Sequence, residues 1–455
     1  MQSFANNDYI YILNTTIINI TKTIHERQFF MRLYIDPGTG SMLFTVLIGL
    51  LSTLIFFGKK AIVKLSFILH GGHVKRTEED KKKIPYLIFS DHKRYWNVFE
   101  SICKEFDKRG IDVAYWTMSE DDPALTANIP HLHAQFIGAG NKAFAKLNML
   151  NAEIILSTTP GLNVLQWKRS RNGGFYIHVS HACNDVNMYR MFGLDYYDSV
   201  LVSGPYLIDE IRELEDLRHL PRKEVRIAGI TYMDALKERL EKTPAPVSDK
   251  KTVLLSPSWG KSSILYRFGT DIIDALIATG YRIIVRPHPQ SYTDAKELMD
   301  SLFAKYPETD DFIWDRSNDN FDAMNRADIM ISDFSGIMFD YALVFDKPLI
   351  YTDTDYDKSP YDCWWSKKPL WTFETLPKIG HLLTPSDFSR MKEVIDETLA
   401  DTTMAAAREV ARQETWTPIG SAAVNTVEYA IQKRTSLLIG KRSEKQKSPL
   451  PAIES

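Results

Sequence analysis

Two histidines stand directly after apolar segments that we predict to be β-strands. His181 follows the segment 175–179, and His288 lies between two prolines after the segment 282–285. A histidine titrates near neutral pH and can act as a general acid or base, and the prolines restrict the backbone that carries His288. A turn histidine bonded to the backbone is the alternative for each. The sequence therefore offers one candidate acid–base group in each half of the chain.

A short loop in the second half is a candidate anion site. The segment 332–336, SDFSG, precedes a predicted helix at 337–344. The amides of Ser335 and Gly336 would open this helix, where free N–H groups and the helix dipole favour a phosphate. An ordinary helix start is an equal alternative on these residues alone. The loop nevertheless predicts a phosphate-handling cleft when it is combined with the two histidines.

The loop contains two further polar side chains, and an arginine lies close by in the sequence. We include Ser332 and Asp333 in the predicted donor phosphate site. An ionised Asp333 would repel phosphate, so we expect it to cap the helix or orient a neighbour. Arg286, two residues before His288, could bind a phosphate with paired hydrogen bonds.

Other strand ends supply candidates for nucleotide and acceptor binding. The loop 256–263, SPSWGKSS, suits a phosphate or ribose but lacks the complete Walker pattern, and a plain connecting loop is the alternative. The segments 91–95 and 158–162 end strands of the first half and could face an acceptor. The predicted nucleotide-binding residues are Ser256, Ser258, Trp259, Ile313 and Asp315, the last two through backbone groups.

Predicted strands and helices alternate from residue 84 onward. This alternation is typical of an α/β fold with parallel sheets covered on both faces, and such sheets bind ligands at the C-terminal ends of their strands. The charged, proline-containing segment 237–251 marks a boundary. We therefore predict two doubly wound Rossmann-like domains facing a cleft. Their ranges are 84–236 and 252–400, followed by helices at 401–433 and a disordered tail at 434–455.

The residues before 84 have a different character. The run 38–58 carries no charge and is close to the ~20 residues that a membrane helix requires. Lysines follow the run, so the positive-inside rule places its C-terminal side in the cytoplasm. We expect an N-terminal segment at 1–41, a transmembrane helix at 42–58 and a juxtamembrane linker at 59–83. A single-pass protein of the inner or plasma membrane with a cytoplasmic catalytic domain follows, and a buried core helix is the alternative.

The net charge and the cysteines of the chain limit the classes of function that the sequence supports. The 455 residues are 44% hydrophobic, and the formal net charge of -3 gives no argument for a nucleic-acid partner. The three cysteines are widely separated, with neither a metal-ligand spacing nor a disulfide framework, as in a reducing compartment. We expect no metal ion and no cofactor.

The order of the motifs resembles a known enzyme family. A histidine after a first-half strand, then SPSW, RPHP and SDFSG, is similar to the CDP-glycerol glycerophosphotransferase family of teichoic-acid-type polymerases and primases. The resemblance is strongest over residues 252–353. It implies a glycosyltransferase-B (GT-B) fold that binds a CDP-alcohol in its C-terminal half, transfers the polyol phosphate to an acceptor hydroxyl and releases CMP.

The resemblance also implies roles for individual residues. His181 would be the general base on the acceptor hydroxyl, and His288 would stabilise the phosphate oxygens together with the amides of Ser335 and Gly336. Ala182 stands where the family usually has glycine, and Gly336 stands where it usually has serine. These two departures fall on the loops that carry the predicted site.

The implied partners are CDP-glycerol or a related CDP-alcohol, an acceptor that is a polyol phosphate or is linked to a glycan or lipid, and a membrane, in the synthesis of a cell-surface polymer. Two other functions fit the same residues. One is a nucleotide-sugar glycosyltransferase of the same fold, and the other is a non-catalytic, membrane-anchored module that binds nucleotide. Screening of donors separates the three.

Overall fold

The computed structural model describes residues 83–317, 319–353 and 356–447. The predicted N-terminal segment, the predicted transmembrane helix 42–58 and all but the last residue of the linker 59–83 lie outside the described residues. Within these three ranges, no helix is long and apolar enough to cross a membrane.

The first domain is built on a seven-stranded parallel sheet in the order β3-β2-β1-β4-β5-β6-β7. Its central strands bury side chains on both faces, as Leu87, Ile88 and Phe89 of β1 are all inaccessible to solvent. Helices must therefore cover both faces of the sheet. The strands are Ile84–Ser90, Val113–Thr117, Leu132–Phe136, Ala152–Ser157, Phe175–Val179, Ser199–Val202 and Glu224–Ile227, numbered β1 to β7. The helices are Trp96–Lys108, Gly140–Leu147, Pro205–Arg218 and Thr231–Lys242.

The second domain repeats this architecture with six parallel strands in the order β10-β9-β8-β11-β12-β13. The strands are Thr252–Leu255, Arg282–Val285, Phe312–Trp314, Ile329–Ser332, Leu349–Thr352 and Gly380–Leu383, numbered β8 to β13. The helices are Ile264–Ala278, Ser291–Asp294, Lys296–Lys305, Phe321–Arg326, Ile337–Phe339, Trp371–Ile379, Met391–Ala400 and Met404–Thr415. Ile337–Phe339 continues as a π-helical turn, Asp340–Val344. The prediction of two doubly wound domains is confirmed.

The short elements between these helices and strands are 3-10 helices of three to six residues. They are Lys93–Tyr95, Pro123–Thr126, Val186–Met188, Asp362–Trp364 and Pro385–Arg390. Two of them bear on the site described below, because Lys93–Tyr95 follows β1 and Asp362–Trp364 lies where the two domains meet.

The predicted boundary and tail are wrong in part. Residues 237–242 are the last turns of the helix Thr231–Lys242, so the connection to the second domain begins only at Thr243. The helix Ala422–Lys447 covers 434–447, which we expected to be disordered. This helix returns to the first domain, where Tyr429 Oη donates to Ser199 Oγ at 2.8 Å and Arg434 Nε donates to Glu153 at 2.5 Å. Packing on the first sheet thus orders a segment whose composition suggested disorder.

A loop of the second domain, residues 356–366, docks on the first domain. The Asp362 carboxylate accepts hydrogen bonds from the amides of Phe192 at 2.7 Å and Gly193 at 3.1 Å. It also forms an ion pair with Arg218, and the two side chains are 1% and 8% exposed. A buried ion pair is most valuable for fixing geometry, so this loop helps to set how the two domains approach each other.

Candidate active site

The two candidate histidines lie at the C-terminal edges of the two sheets. His181 follows β5, and His288 follows β9. Parallel strands present their carboxyl ends at one edge, and the loops there form the binding cleft of doubly wound domains. The loop after β5 reaches the second domain directly, because both oxygens of Asp185 accept amide hydrogens from Trp371 at 2.6 Å and Thr372 at 2.8 Å.

His181 is held by a residue that follows β4, the neighbouring strand in the sheet. Its Nδ1 lies 2.7 Å from Oγ1 of the buried Thr158, and its ring packs edge-to-face on Tyr95 with centroids 5.2 Å apart. Burial and the positive charge of Arg94 lower the pKa of His181 to about 4. The ring is therefore neutral at pH 7. A neutral ring that donates from Nδ1 to Thr158 has its lone pair on Nε2, which is the form required of a general base.

His288 is held differently. Its Nδ1 lies 3.1 Å from the amide nitrogen of Gln290, which donates to it. Burial, followed by the charges of Arg94 and Arg286, lowers the pKa of His288 to about 4. A neutral ring that accepts at Nδ1 carries its proton on Nε2. His288 is thus a hydrogen-bond donor at Nε2, whereas His181 can serve as a base.

The loop SDFSG packs against the loop that follows His181. A Cβ added to Gly336 would lie 2.7 Å from Asn184 Oδ1 and 3.4 Å from the Cβ of Ala182. The predicted phosphate loop and the loop of the predicted base therefore meet across the domain boundary. The first backbone bonds of the helix run from the amide of Met338 to Ser335 O and from that of Phe339 to Gly336 O. The amides of Ser335 and Gly336 precede these bonds at the helix start, as predicted for an anion site.

The structure corrects the roles predicted for Asp333 and Ser332. Both residues are fully buried. The Asp333 carboxylate accepts amide hydrogens from Ser258 at 2.9 Å, Ile264 at 3.1 Å and Phe334 at 2.7 Å. Ser332 Oγ donates to Ser256 O at 2.5 Å. These side chains therefore join the loops after β8 and β11 and position the phosphate loop, instead of contacting a phosphate themselves.

Arg286 also has a different arrangement from the one expected. Its guanidinium forms an ion pair with Asp315 and donates to Ser317 Oγ at 3.1 Å and Ser317 O at 2.9 Å. Asp315, which we predicted to bind nucleotide, is thus the counterion of Arg286. The ion pair joins the end of β10 to the end of β9, and Asp315 neutralises the charge of Arg286.

The remaining predicted nucleotide residues fall in two places. Trp259 lies beside His288, with ring centroids 6.2 Å apart, and the Oγ of the buried Ser258 has no partner among the described residues. Ile313, however, lines a separate cavity of about 520 Å³ together with Thr252 and Arg282, which begin β8 and β9. The side chain of Ile313 therefore lies away from the edge that carries the histidines.

The sequence prediction did not single out three side chains that the structure brings to the site. They are Arg94, Thr158 and Asn184. Their position in the sequence could have identified two of them, because Arg94 and Thr158 lie in the segments 91–95 and 158–162 that end strands of the first half. In the described part of the chain, no group of three or more His, Cys, Asp or Glu side chains is arranged to hold a metal ion.

Two Rossmann-like domains with acid–base groups at their facing strand ends define a GT-B-like transferase architecture. Residues 211–362 match the model of the family described as CDP-Glycerol:Poly(glycerophosphate) glycerophosphotransferase. Over this segment, the match confirms the resemblance inferred from the motifs. His288 and the SDFSG loop lie inside the matched range, and His181 lies before it.

Solved structures share the fold. The wall teichoic acid polymerase TagF is 17% identical with a TM-score of 0.54, over 84% of this chain and 98% of the polymerase chain. UDP-GlcNAc 2-epimerase from Neisseria meningitidis, bound to UDP-GlcNAc, is 11% identical with a TM-score of 0.51, over 77% and 100% of the two chains. No curated protein sequence matches this chain. At such identities, the structural likeness establishes the fold alone.

Proposed function

We propose that this enzyme transfers a polyol phosphate from a CDP-alcohol, such as CDP-glycerol, to an acceptor hydroxyl and releases CMP. The observation that carries the proposal is a buried histidine directly after a strand in each domain, with His181 Nδ1 against the Thr158 hydroxyl and His288 Nδ1 accepting from the Gln290 amide. The family match over His288 and the phosphate loop supports the same donor class. A histidine-to-asparagine variant of TagF, soaked with CDPG, is among the similar structures.

The reaction follows from the geometry of the two rings. His181 Nε2 accepts the proton of the acceptor hydroxyl while that oxygen attacks the phosphorus that carries the polyol. The bond from this phosphorus to the bridging oxygen breaks in line, and CMP leaves with the bonding electrons. His288 Nε2–H and the amides of Ser335 and Gly336 donate to the phosphate oxygens as negative charge redistributes. The product is a phosphodiester to the acceptor.

The site's location in the cell remains a separate part of the proposal. We infer that segment 42–58 anchors the chain in the inner or plasma membrane with residues 84–447 on the cytoplasmic side, where the charge pattern places them. Carbonate extraction of membranes that contain the full-length chain tests this part. Retention in the membrane pellet is expected, and release into the supernatant would contradict an anchored segment.

The activity is tested by incubating the purified full-length chain with CDP-glycerol, CDP-ribitol and other CDP-alcohols plus polyol-phosphate acceptors, and measuring CMP. UDP- and GDP-sugars form the second arm. CMP release that is abolished in the His181→Gln/His288→Ala double variant supports the proposal. His133→Ala, which alters a surface ion pair with Asp112, is the matched control and should retain activity.

Other outcomes identify the alternatives. Release of UDP or GDP from sugar nucleotides would indicate a glycosyltransferase instead. Saturable CDP binding without any turnover would indicate a nucleotide-binding module.

A further inference from the structure

Arg94 is a partly buried cation at the C-terminal end of β1, and the described residues supply no counterion for it. It lies in the turn Lys93–Tyr95, where its Nη2 donates to Tyr95 Oη at 3.1 Å and its guanidinium lies 4.8 Å from the centre of the Tyr95 ring. Its Nε is buried and has no hydrogen-bond partner among the described residues. Lys93, its neighbour, pairs with Asp121, whereas Arg94 forms no ion pair within the described ranges.

This situation differs from that of Arg286, the arginine that the sequence motif pointed to. The charge of Arg286 is neutralised by Asp315. A guanidinium that loses water without gaining a carboxylate is costly, and an anionic ligand removes that cost. Arg94 therefore provides positive charge and an unused N–H donor at the cleft.

Arg94 shares an aromatic neighbour with His181, and its charge acts on both histidines. His181 and the Arg94 guanidinium contact the same Tyr95 ring, at 5.2 Å and 4.8 Å between centres. The positive charge of Arg94 lowers the pKa of His181 and also that of His288, which the second domain contributes. In phosphoryl transfer, the group that lies between the general base and the hydrogen-bond donor is the phosphoryl group that is being transferred.

We propose that Arg94 binds the non-bridging oxygens of the phosphoryl group during transfer, from the side opposite the Ser335 and Gly336 amides. This inference rests on the proposed function. The second domain would hold the donor, and the first domain would supply the cation that completes the charge of the transition state. Chemistry would thus require that both domains engage the same phosphate, which disfavours hydrolysis of donor bound to an open cleft.

The test compares Arg94→Ala, Arg94→Lys and Arg94→Gln with wild type in the full-length chain. We expect kcat to fall by ~10²- to 10³-fold in Arg94→Ala, with a smaller change in the dissociation constant of the CDP-alcohol. Arg94→Lys should recover only part of kcat, because an ammonium cannot replace a planar fork. Added guanidinium ions should raise the kcat of Arg94→Ala, a response that a purely structural role would not give. Lys104→Ala, which removes a surface ion pair with Glu100, is the control and should keep wild-type kcat.

The outcomes separate this inference from the proposed function. If wild type releases CMP and the folded Arg94 variants do so at the same rate, the role of Arg94 is wrong and the proposed function stands. A variant that changes only the KM of the acceptor overturns contact with the transferred phosphoryl group and places Arg94 on the acceptor. A wild-type chain that turns over no CDP-alcohol overturns both. Thermal unfolding of each variant shows that a lost rate is not a lost fold, and Arg94→Gln preserves most of the side-chain volume.

Discussion

Ala182 and Gly336 lie against each other where the two domains meet. The Cβ of Ala182 is 3.4 Å from the position that a Cβ on Gly336 would take. These are the two positions at which the chain departs from the family pattern, with alanine in place of glycine and glycine in place of serine. The two departures are therefore complementary in size. The larger residue, Ala182, packs against the smaller residue, Gly336, across the interface.

Gly336→Ala should destabilise the protein and slow the enzyme, because the new Cβ would lie 2.7 Å from Asn184 Oδ1. Overpacking of this kind costs about 1–3 kcal/mol, and the shift would also move the amides of the phosphate loop. Unfolding in denaturant and kcat measure the two effects. The Asn184→Ala background should remove most of the cost, giving a coupling energy in the double-mutant cycle.

Gly440→Ala is the matched control for this cycle, since an added Cβ there meets nothing within 4 Å. In a helix it should stabilise by up to about 1 kcal/mol. Equal costs for Gly336→Ala in both backgrounds would show that Asn184 does not limit the space.

Thr158→Val should lower kcat and leave the KM for the donor nearly unchanged. The hydroxyl of Thr158 is 2.7 Å from His181 Nδ1, and as an acceptor from Nδ1–H it would hold the tautomer that leaves Nε2 free. We expect a loss of roughly 10- to 100-fold, part of the ~10²–10⁴ that general acid–base catalysis contributes. Thr158→Ser retains the hydroxyl and should keep most of the rate. Steady-state kinetics decides, and equal losses in the two variants would contradict the positioning role.

Glutamine should replace His288 better than it replaces His181. The Gln290 amide fixes His288 as a donor at Nε2, and a glutamine side chain also presents an N–H donor there. His288→Gln should therefore exceed His288→Ala in kcat, while His181→Gln and His181→Ala should both lose ~10²-fold or more, since neither supplies a base. The reverse ranking would exchange the two roles.

Asp333→Asn should destabilise the second domain and weaken donor binding. Three backbone amides donate to the buried carboxylate, and an amide side chain offers only one acceptor oxygen for them. Leaving buried donors unpaired costs about 1–3 kcal/mol each. Calorimetric titration with CDP and thermal unfolding test both effects. Wild-type stability in Asp333→Asn would show that the loops after β8 and β11 do not depend on this carboxylate.

In the pH profile of kcat/KM, the acid limb should lie well below pH 6.5, the pKa of an ordinary histidine. The pKa values of His181 and His288 are lowered from 6.5 to about 4, so both rings stay neutral as the pH falls through 6.5. We expect kcat/KM to change less than about twofold between pH 7.5 and pH 5.5, because the free enzyme is already in its active protonation state. A limb centred near pH 6.5 would contradict this. Arg94→Gln should shift the limb slightly upward, because burial still lowers both pKa values but the contribution of the Arg94 charge is gone.

The sequence predicted the architecture well because hydrophobic runs and turn residues mark buried parallel strands directly. The bounds of β5 and β9 agree with the predicted segments 175–179 and 282–285. β13 was missed because its four residues, Gly380–Leu383, begin with a strand-weakening glycine and include a histidine. The continuation of the last helix beyond residue 433 was missed because tertiary contacts, such as that of Arg434 with Glu153, are not visible in the composition.

The site was predicted less completely, for a different reason. Motifs identify residue types near a strand end, but they do not show which hydrogen bonds are already made. Asp333 and Arg286 carry suitable groups, yet backbone amides and Asp315 occupy them. Arg94 belongs to no motif. It differs from Arg286 in that the described residues supply no counterion for it. Such a property depends on distant segments of the chain.

Asp234 has a consequence for how this protein can be altered. Its two carboxylate oxygens accept hydrogen bonds from Trp416 Nε1 at 2.8 Å, Gly420 N at 2.8 Å and Ala422 N at 3.0 Å. Asp234 itself lies in Thr231–Lys242, just before the chain leaves the first domain, and the other three groups lie where it returns. Residues 243–415, which contain the second domain, are thus inserted between two chain crossings that the Asp234 side chain joins. We therefore expect that exchanging residues 243–415 would alter the proposed donor preference, while the half that carries His181, Arg94 and Thr158 keeps its own sequence.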